Sequence, residues 1–250
     1  MHHALAVEFV LKEGIQHMKL RIKFNKYGPV RFIGHLDVMR FFQKAIRRAG
    51  IDVAYSQGFS PHQIMSFAAP LSVGLTSNGE YMDVEVNSIV SCQDVKERLN
   101  SVSVPGIEVL SVKVLPEGAE NAMASVAAAS YTVRFRQGRE PKLSISQALP
   151  VFLEKEQILY TKQTQKGTRE IDLKSGIYEL SYENDCFTML VCASSAGNIK
   201  PVQIIEALLQ DNGEALMENA LIITREDTFL NKGTIEDRVL VPLDDIGYII

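Results

Sequence analysis

The sequence predicts an α+β fold of two tandem ferredoxin-like (βαββαβ) units, the second elaborated with extra strands. Three observations carry that expectation. The first half runs strand, helix, strand, strand, helix, strand, which is the split βαβ order. After a run of small residues the same order returns with strands added. The 250 residues, 46% of them hydrophobic, suffice for two cores of roughly 100 residues each.

KLRIKFN (19–25) sets Leu20, Ile22 and Phe24 on one face and Lys19, Arg21 and Lys23 on the other, the period of a half-buried strand. HLDVMRFFQKAIRRAG, beginning at His35, is an amphipathic helix that Gly50 stops. IDVAYS follows as a second strand. EYMDVEV (80–86) alternates again, Met82, Val84 and Val86 opposite Tyr81, Asp83 and Glu85, and Asn78-Gly79 before it reads as a turn. CQDVKERLNSV is a short helix and GIEVLSVKVLP a strand ended by Pro116. These segments make a first unit over 18–116. Residues 117–130, small and nearly featureless, read as a linker or mobile connection.

In the second unit, 131–230, YTVRFR is a strand and SISQALPVFLEKE a helix, with Pro150 a point of kinking. A strand-rich stretch follows, turning at Lys166-Gly167 and Asn184-Asp185. KPVQIIEALLQDN carries Pro201 in its first helical turn, and ALIITREDTFL closes the set as a strand. Residues 231–250 are expected to pack as an extension on the second unit, and 1–17 to form a flexible leader.

The chain carries a net charge of −4, yet Met18 to Gly50 holds nine basic residues (Lys19, Arg21, Lys23, Lys26, Arg31, Arg40, Lys44, Arg47, Arg48) against one acid, Asp37. That stretch is therefore +8 and the remainder −12. Such asymmetry points either to a local anion-binding surface on an acidic body or to basic and acidic segments that pair in the fold.

At about 100° per residue, Arg40, Lys44, Arg47 and Arg48 share one arc of the helix, while Val38, Met39, Phe41, Phe42, Ala45, Ile46 and Ala49 make the opposite, core side. A solvated helix face usually mixes signs, and here only Asp37 is available. The arc suits a phosphate or carboxylate ligand; late basic residues also suit the negative end of the helix dipole. Asp37, three residues after Gly34, has the place of a residue that accepts the free N–H groups of the first turn. His35 is either bonded into the framework or a general acid/base beside a phosphate site.

Tyr55-Ser56-Gln57-Gly58-Phe59-Ser60-Pro61-His62 has the chemistry of a binding loop. Gly58 permits positive φ, Pro61 stiffens the exit, and Ser56, Gln57 and Ser60 offer hydrogen bonds. Tyr55, Phe59 and His62 suit stacking on single-stranded bases, unless they fold back onto the core. The candidate binding set is thus Arg31, His35, Asp37, Arg40, Lys44, Arg47, Arg48, Tyr55, Ser56, Gln57, Gly58, Phe59, Pro61 and His62. The basic hairpin Lys162–Asp172 is a further candidate wall of the same cleft. The sheet face is a poor one: Lys19, Arg21 and Lys23 meet Tyr81, Asp83 and Glu85 across strands and neutralise them.

Cys92, Cys186 and Cys192 lack any CxxC spacing, so neither a disulfide framework nor a zinc or iron–sulfur site is expected, nor any cofactor. A reducing cytoplasm fits three free thiols. No apolar run approaches the ~18 residues of a membrane span, and no export signal is expected. No DNA sequence recognition is expected either.

The stretch YGPVRFIGHLDVMRFFQKAIRRAGIDVAYSQGFSPHQIMSFAAPLSVGLTSNGEYMDVEV resembles the radical SAM-linked bacterial proteins, a domain of unknown function. The resemblance is close over about 18–87, and KGTREIDLK and the closing strand are similar to that family's second half. It implies a bacterial cytoplasmic protein that stands alone or behind a radical SAM enzyme, often encoded near ribonuclease G and ribosomal-protein genes. Gly34 replaces the usual small hydroxyl before the histidine, and Gln63 stands where a second proline often follows His62. The tandem order is also similar, in architecture alone, to CRISPR repeat-processing ribonucleases, whose Gly-rich C-terminal loop is missing here. Three functions follow as expectations. The first is a non-catalytic RNA-binding accessory factor in RNA or ribosome maturation. The second is a metal-independent endoribonuclease with His35 as general acid/base and Arg40 or Arg47 stabilising the developing charge. The third is an adaptor whose basic face docks a radical SAM enzyme.

Overall fold

Strand β1 (Met18–Lys26) forms where the alternation puts it, with Leu20, Ile22 and Phe24 fully buried. The computed structural model of the chain describes residues 17–164, 167–195 and 197–250. Helix α1 (His35–Arg48) lays Val38, Phe42, Ala45 and Ile46 on β1 and its neighbours. It stops where Gly50 takes φ +60, a left-handed conformation that favours glycine. Arg98 seals that end by donating from Nε and Nη2 to the carbonyl of Ala49 at 2.8 and 2.6 Å, and from Nη2 to that of Gly50.

The expected strand IDVAYS is only β2 (Asp52–Val53); after a loop, β3 (Met65–Phe67) supplies the rest of that edge. Both pair with β4 (Thr76–Ser88), which is longer than EYMDVEV. Asn78-Gly79 is therefore strand rather than turn. A Cβ on Gly79 would lie 2.7 Å from the Asp227 Cα, so the glycine serves close strand approach. Helix α2 (Cys92–Ser101) is capped by Ser91 Oγ, which accepts the Asp94 N–H at 3.0 Å, and leads to β5 (Val109–Val114).

Residues 117–130 are not a featureless connection. They hold α3 (Ala122–Ser125), capped by Asn121, and the start of β6 (Ala128–Phe135). Small side chains are needed because Ala122, Val126 and Ala128 are buried. The second half continues through α4 (Ile145–Glu154), which contains Pro150, the hairpin β7 (Leu159–Thr164) and β8 (Gly167–Asp172), then β9 (Ile177–Glu183) and β10 (Cys186–Cys192). Helix α5 (Pro201–Asp211) begins at its proline, and β11 (Leu221–Asn231) and β12 (Leu240–Pro242) end the set.

Ten strands form one mixed sheet in the order β5-β1-β4-β11-β6-β10-β9, with β2 and β3 on β4 and β12 on β11. The architecture is mixed α+β, with five helices among the described residues. The halves join where β11 runs parallel to the start of β4, Thr224 beside Thr76 and Arg225 beside Ser77. One core lies under α1 and α2, another under α4 and α5. A smaller cluster of Tyr81, Ala122, Val126, Leu230 and Leu243 covers the opposite face near the junction. Residues 231–250 do not stay on the second half. Beyond β12 the Tyr248 N–H donates to Val114 O at 2.9 Å, and Ile250 O accepts from Cys92 N at 3.0 Å.

A candidate anion-binding face on α1 and its loop

Arg40, Lys44, Arg47 and Arg48 are all exposed on one side of α1, away from its buried stripe. Their partners are few. Arg40 meets Asp37 at 3.3 Å in open solvent, a contact worth little. Asp37 thus serves Arg40, and Gly34 leaves the helix start without an N-cap side chain. Arg48 Nη2 reaches the Val102 carbonyl at 3.0 Å, and Arg47 Nε reaches the Gln43 carbonyl at 3.4 Å. Among the described residues nothing pairs with the Lys44 ammonium.

The loop is closed at its base and open at its tip. Tyr55 bridges to Gln63. Inside that bridge the Ser56 N–H donates to His62 O at 2.8 Å, and the His62 N–H to Ser56 Oγ at 3.1 Å. Ser56 Oγ also lies 2.8 Å from His62 Nδ1. Gly58 takes φ +114, Phe59 beyond it is fully exposed, and Gln57, Ser60 and Pro61 are exposed. Tyr55 keeps 43% of its surface exposed. The aromatics do not fold back onto the core.

One backbone atom joins loop and helix. Gln63 Nε2 donates to the Gln43 carbonyl at 3.2 Å, the same oxygen that Arg47 approaches. The side chain of Gln63 is buried, so the loop exit is fixed beside Arg47. A proline at that position would have no such donor.

His35 and Arg31 lie elsewhere. At 100° per residue His35 is roughly opposite Lys44, on the buried side, its ring edge-on to Phe67 at 5.1 Å between centroids. It lines a cleft with Phe24, Lys26, Pro70 and Glu80 whose free volume, about 10 Å³, holds about one water. The charges there are engaged: Lys26 Nζ donates to Ile33 O at 2.9 Å, and Glu80 pairs with Arg225 at 3.0 Å. Burial lowers the Lys26 pKa and raises that of Glu80. The structure thus separates His35 from the basic arc it was expected to serve. Arg31 sits in a short 3-10 turn over residues 28–32, its guanidinium 4.7 Å from the Phe32 ring centroid. No contact brings it to Arg40 or Lys44.

Much of the basic stretch is structural. Arg21, opposite Asp83 in register, makes a two-pronged ion pair at 2.8 and 2.9 Å and is wholly buried. Lys23 pairs with Asp227 at 2.6 Å, and Lys26 is buried as above. Of the expected cross-strand neutralisation only Arg21–Asp83 forms among the described residues; Lys23 turns to Asp227 and Lys19 Nζ to the Ala119 carbonyl, and α3 and the chain after β12 cover the face. Of the candidate hairpin wall, residues 165 and 166 and the side chains of 162–164 lie outside the described residues. Strand β7, which leads into it, leans on α5, where Tyr160 OH donates to Glu206 at 2.8 Å.

Among the described residues no group of three or more His, Cys, Asp or Glu is placed to hold a metal ion. No described helix is long and apolar enough to cross a membrane.

The sequence model of a family described as "uncharacterized protein conserved in bacteria (DUF2344)" matches residues 19–201. No curated protein matches. A Cbf5-Nop10-Gar1 complex contains a chain of similar shape, with TM-score 0.46 and 12% identity over 86% of this chain. This chain spans 49% of that one, about half its length.

Proposed function

The chain belongs to this family of bacterial proteins, DUF2344, and we propose that it acts as a non-catalytic RNA-binding accessory factor in RNA or ribosome maturation. The observation that carries the reading is the single Gln43 carbonyl that holds Arg47 and the loop exit together. It sets unpaired cations next to an exposed aromatic tip, which is how single-stranded RNA is held: phosphates by charge, bases by stacking. Cleavage is left out of the proposal because His35 faces a cleft the size of one water, on the far side of the helix from the cations.

The partner we assign beside RNA is a radical SAM enzyme; its support is the resemblance of GHLDVMR and YSQGFSPH to the radical SAM-linked proteins. The two halves we read as ferredoxin-like units. In the first, β5-β1-β4 carries β2 and β3 on β4; in the second the order is β11-β6-β10-β9. Both put the last strand beside the first and the second beside the third. Three free cysteines support a cytoplasmic site of action.

The test is fluorescence anisotropy with a labelled single-stranded RNA at two salt concentrations, for wild type and Lys44→Glu/Arg47→Glu. Each phosphate contact contributes ~0.7 to the slope of log affinity against log salt on single strands. Wild type should show a slope near −2 to −3, by that rule, and the variant about 1.4 less together with weaker binding. Salt-independent binding, or a variant that binds like wild type, overturns the reading. Capture of a protein through the same residues, after nuclease treatment, would mean an adaptor instead.

A further inference from the structure

The second half contains a cleft of about 170 Å³ that the α1 face leaves unused. It opens between the turn after β6 and the turn after α5, and two cross-links hold those walls. Arg136 Nε donates to Asn219 O at 3.0 Å, and the Lys142 N–H donates to Glu214 Oε2 at 3.0 Å. Gly138, at φ +77, lets the first wall turn back at Arg139, whose N–H donates to Arg136 O at 2.9 Å. The cleft is thus formed in advance of any ligand, which lowers the ordering cost of binding.

Its chemistry is graded from floor to rim. Phe135, Leu209 and Leu216 line it with apolar surface, Leu209 being 1% exposed. Arg139 and Lys142 stand exposed at the rim, and among the described residues neither side chain has a partner. Glu214 has one oxygen committed to Lys142 N–H and the other free to accept. The space is well below the ~300 Å³ at which pockets for whole drug-sized ligands begin. That is room for one heterocycle, with anything attached to it left at the rim.

We propose that this cleft is a nucleotide site: the base lies on Phe135 and Leu216, Glu214 accepts from an amino or hydroxyl group, and Arg139 and Lys142 hold the phosphate. A simple apolar anion would leave Glu214 unused, and its carboxylate would repel that anion. A nucleotide supplies donor, aromatic face and charge together. The same chemistry is offered by a free mononucleotide and by an unstacked nucleotide of an RNA strand. The site stands apart from the α1 face, so it holds or fails independently of the function proposed above.

The experiment is an NMR titration of the methyl-labelled full chain with AMP, GMP, CMP and UMP, repeated with a short oligoribonucleotide. Saturable shifts at Leu209, Leu216 and Met217 are expected. Arg139→Ala/Lys142→Ala should weaken binding about ten- to a hundredfold, as expected for lost charge-assisted hydrogen bonds. Met217→Trp, at a position 41% exposed, should block the cleft without unfolding the chain. Tight binding by mononucleotides identifies a free ligand; response to the oligonucleotide alone identifies a strand, and either supports a nucleotide site. Lys44→Glu/Arg47→Glu should leave mononucleotide binding unchanged. The proposal is overturned if no nucleotide shifts these methyls, if both cleft variants bind as wild type does, or if leucine or methionine saturates the site and nucleotides do not.

Discussion

Replacing Arg21 by methionine should unfold this protein at markedly lower temperature while leaving the proposed RNA-binding face intact. Arg21 is 0% exposed and makes four hydrogen bonds: two to Asp83, one to Leu243 O at 2.8 Å and one to Glu120 O at 3.0 Å. Its removal leaves the Asp83 carboxylate, itself 3% exposed, with the Ala122 N–H at 2.7 Å as its remaining bond. Breaking one side of a buried pair costs about 3–5 kcal/mol, mostly the uncompensated charge. The two abandoned carbonyls raise the cost, though not additively. At ~2–4 °C per kcal/mol for a chain of this size, the melting point should fall by about 6–20 °C. Urea denaturation should show a lower midpoint at unchanged slope. Arg21→Met/Asp83→Leu removes the stranded charge and should recover more than half of the loss, short of full recovery because the Ala122 N–H then lacks its acceptor. A single variant that loses less than about 1 kcal/mol, or a double variant no better than the single, would refute the reasoning. RNA affinity of Arg21→Met, measured well below its melting point, should match wild type.

Gly79→Ala places a methyl 2.7 Å from the Asp227 Cα and 2.9 Å from Glu226 O, so β11 must move off β4. A loss of about 1–3 kcal/mol in urea denaturation is expected, and no loss would mean that the strands are not so closely apposed. Phe59→Ala should leave the melting point unchanged, because the ring is fully exposed, and weaken single-stranded RNA binding by about 5- to 100-fold, the worth of one base stacked on an aromatic ring. Equal affinity in anisotropy would end its role as a stacking platform. Alkaline pH should destabilise the fold. Burial and the bond to Glu206 push the Tyr160 phenol up to about 12, and burial with Asp227 holds Tyr81 protonated higher still. Unfolded tyrosine ionises near pH ~10, so the stability from these phenols is complete below that pH and is lost as pH rises above it; the loss is steeper for the buried Tyr81 than for Tyr160, whose partial exposure lets solvent screen it. Tyr160→Phe should flatten that decline in denaturation curves taken between pH 9 and about 11; an unchanged slope would exclude Tyr160 as a cause.

What the sequence made legible follows from which interactions are local. Period-2 alternation located β1 because one face of that strand is core whatever lies on the other. The alternation does not say that the other face is covered too, by α3 and the chain after β12, so it counts Arg21 and Lys23 toward an anion surface they do not reach; Lys26 lies on the α1 side, bonded to Ile33 O. Helix-borne cations are more legible. Arg40, Lys44, Arg47 and Arg48 lack acidic neighbours one turn away except at Asp37, and that local deficit survives folding. Gly79 reads as a turn because a glycine after asparagine is the usual turn signal; the competing sign is the apolar alternation running on beyond it, which marks a strand with a close neighbour. The chemistry of His35 leaves its role open, whereas the helical angle that groups the four cations already sets it on the core side with Val38 and Phe42. The tie between loop and helix had no signal at all, since its acceptor is the backbone of Gln43. Gln63 showed only as a departure from a proline, and that departure is what supplies the donor. A charge count thus overstates a binding face where a strand alternates lysines under a second layer, and is more faithful on a helix, where the apolar stripe tells which side is left to water.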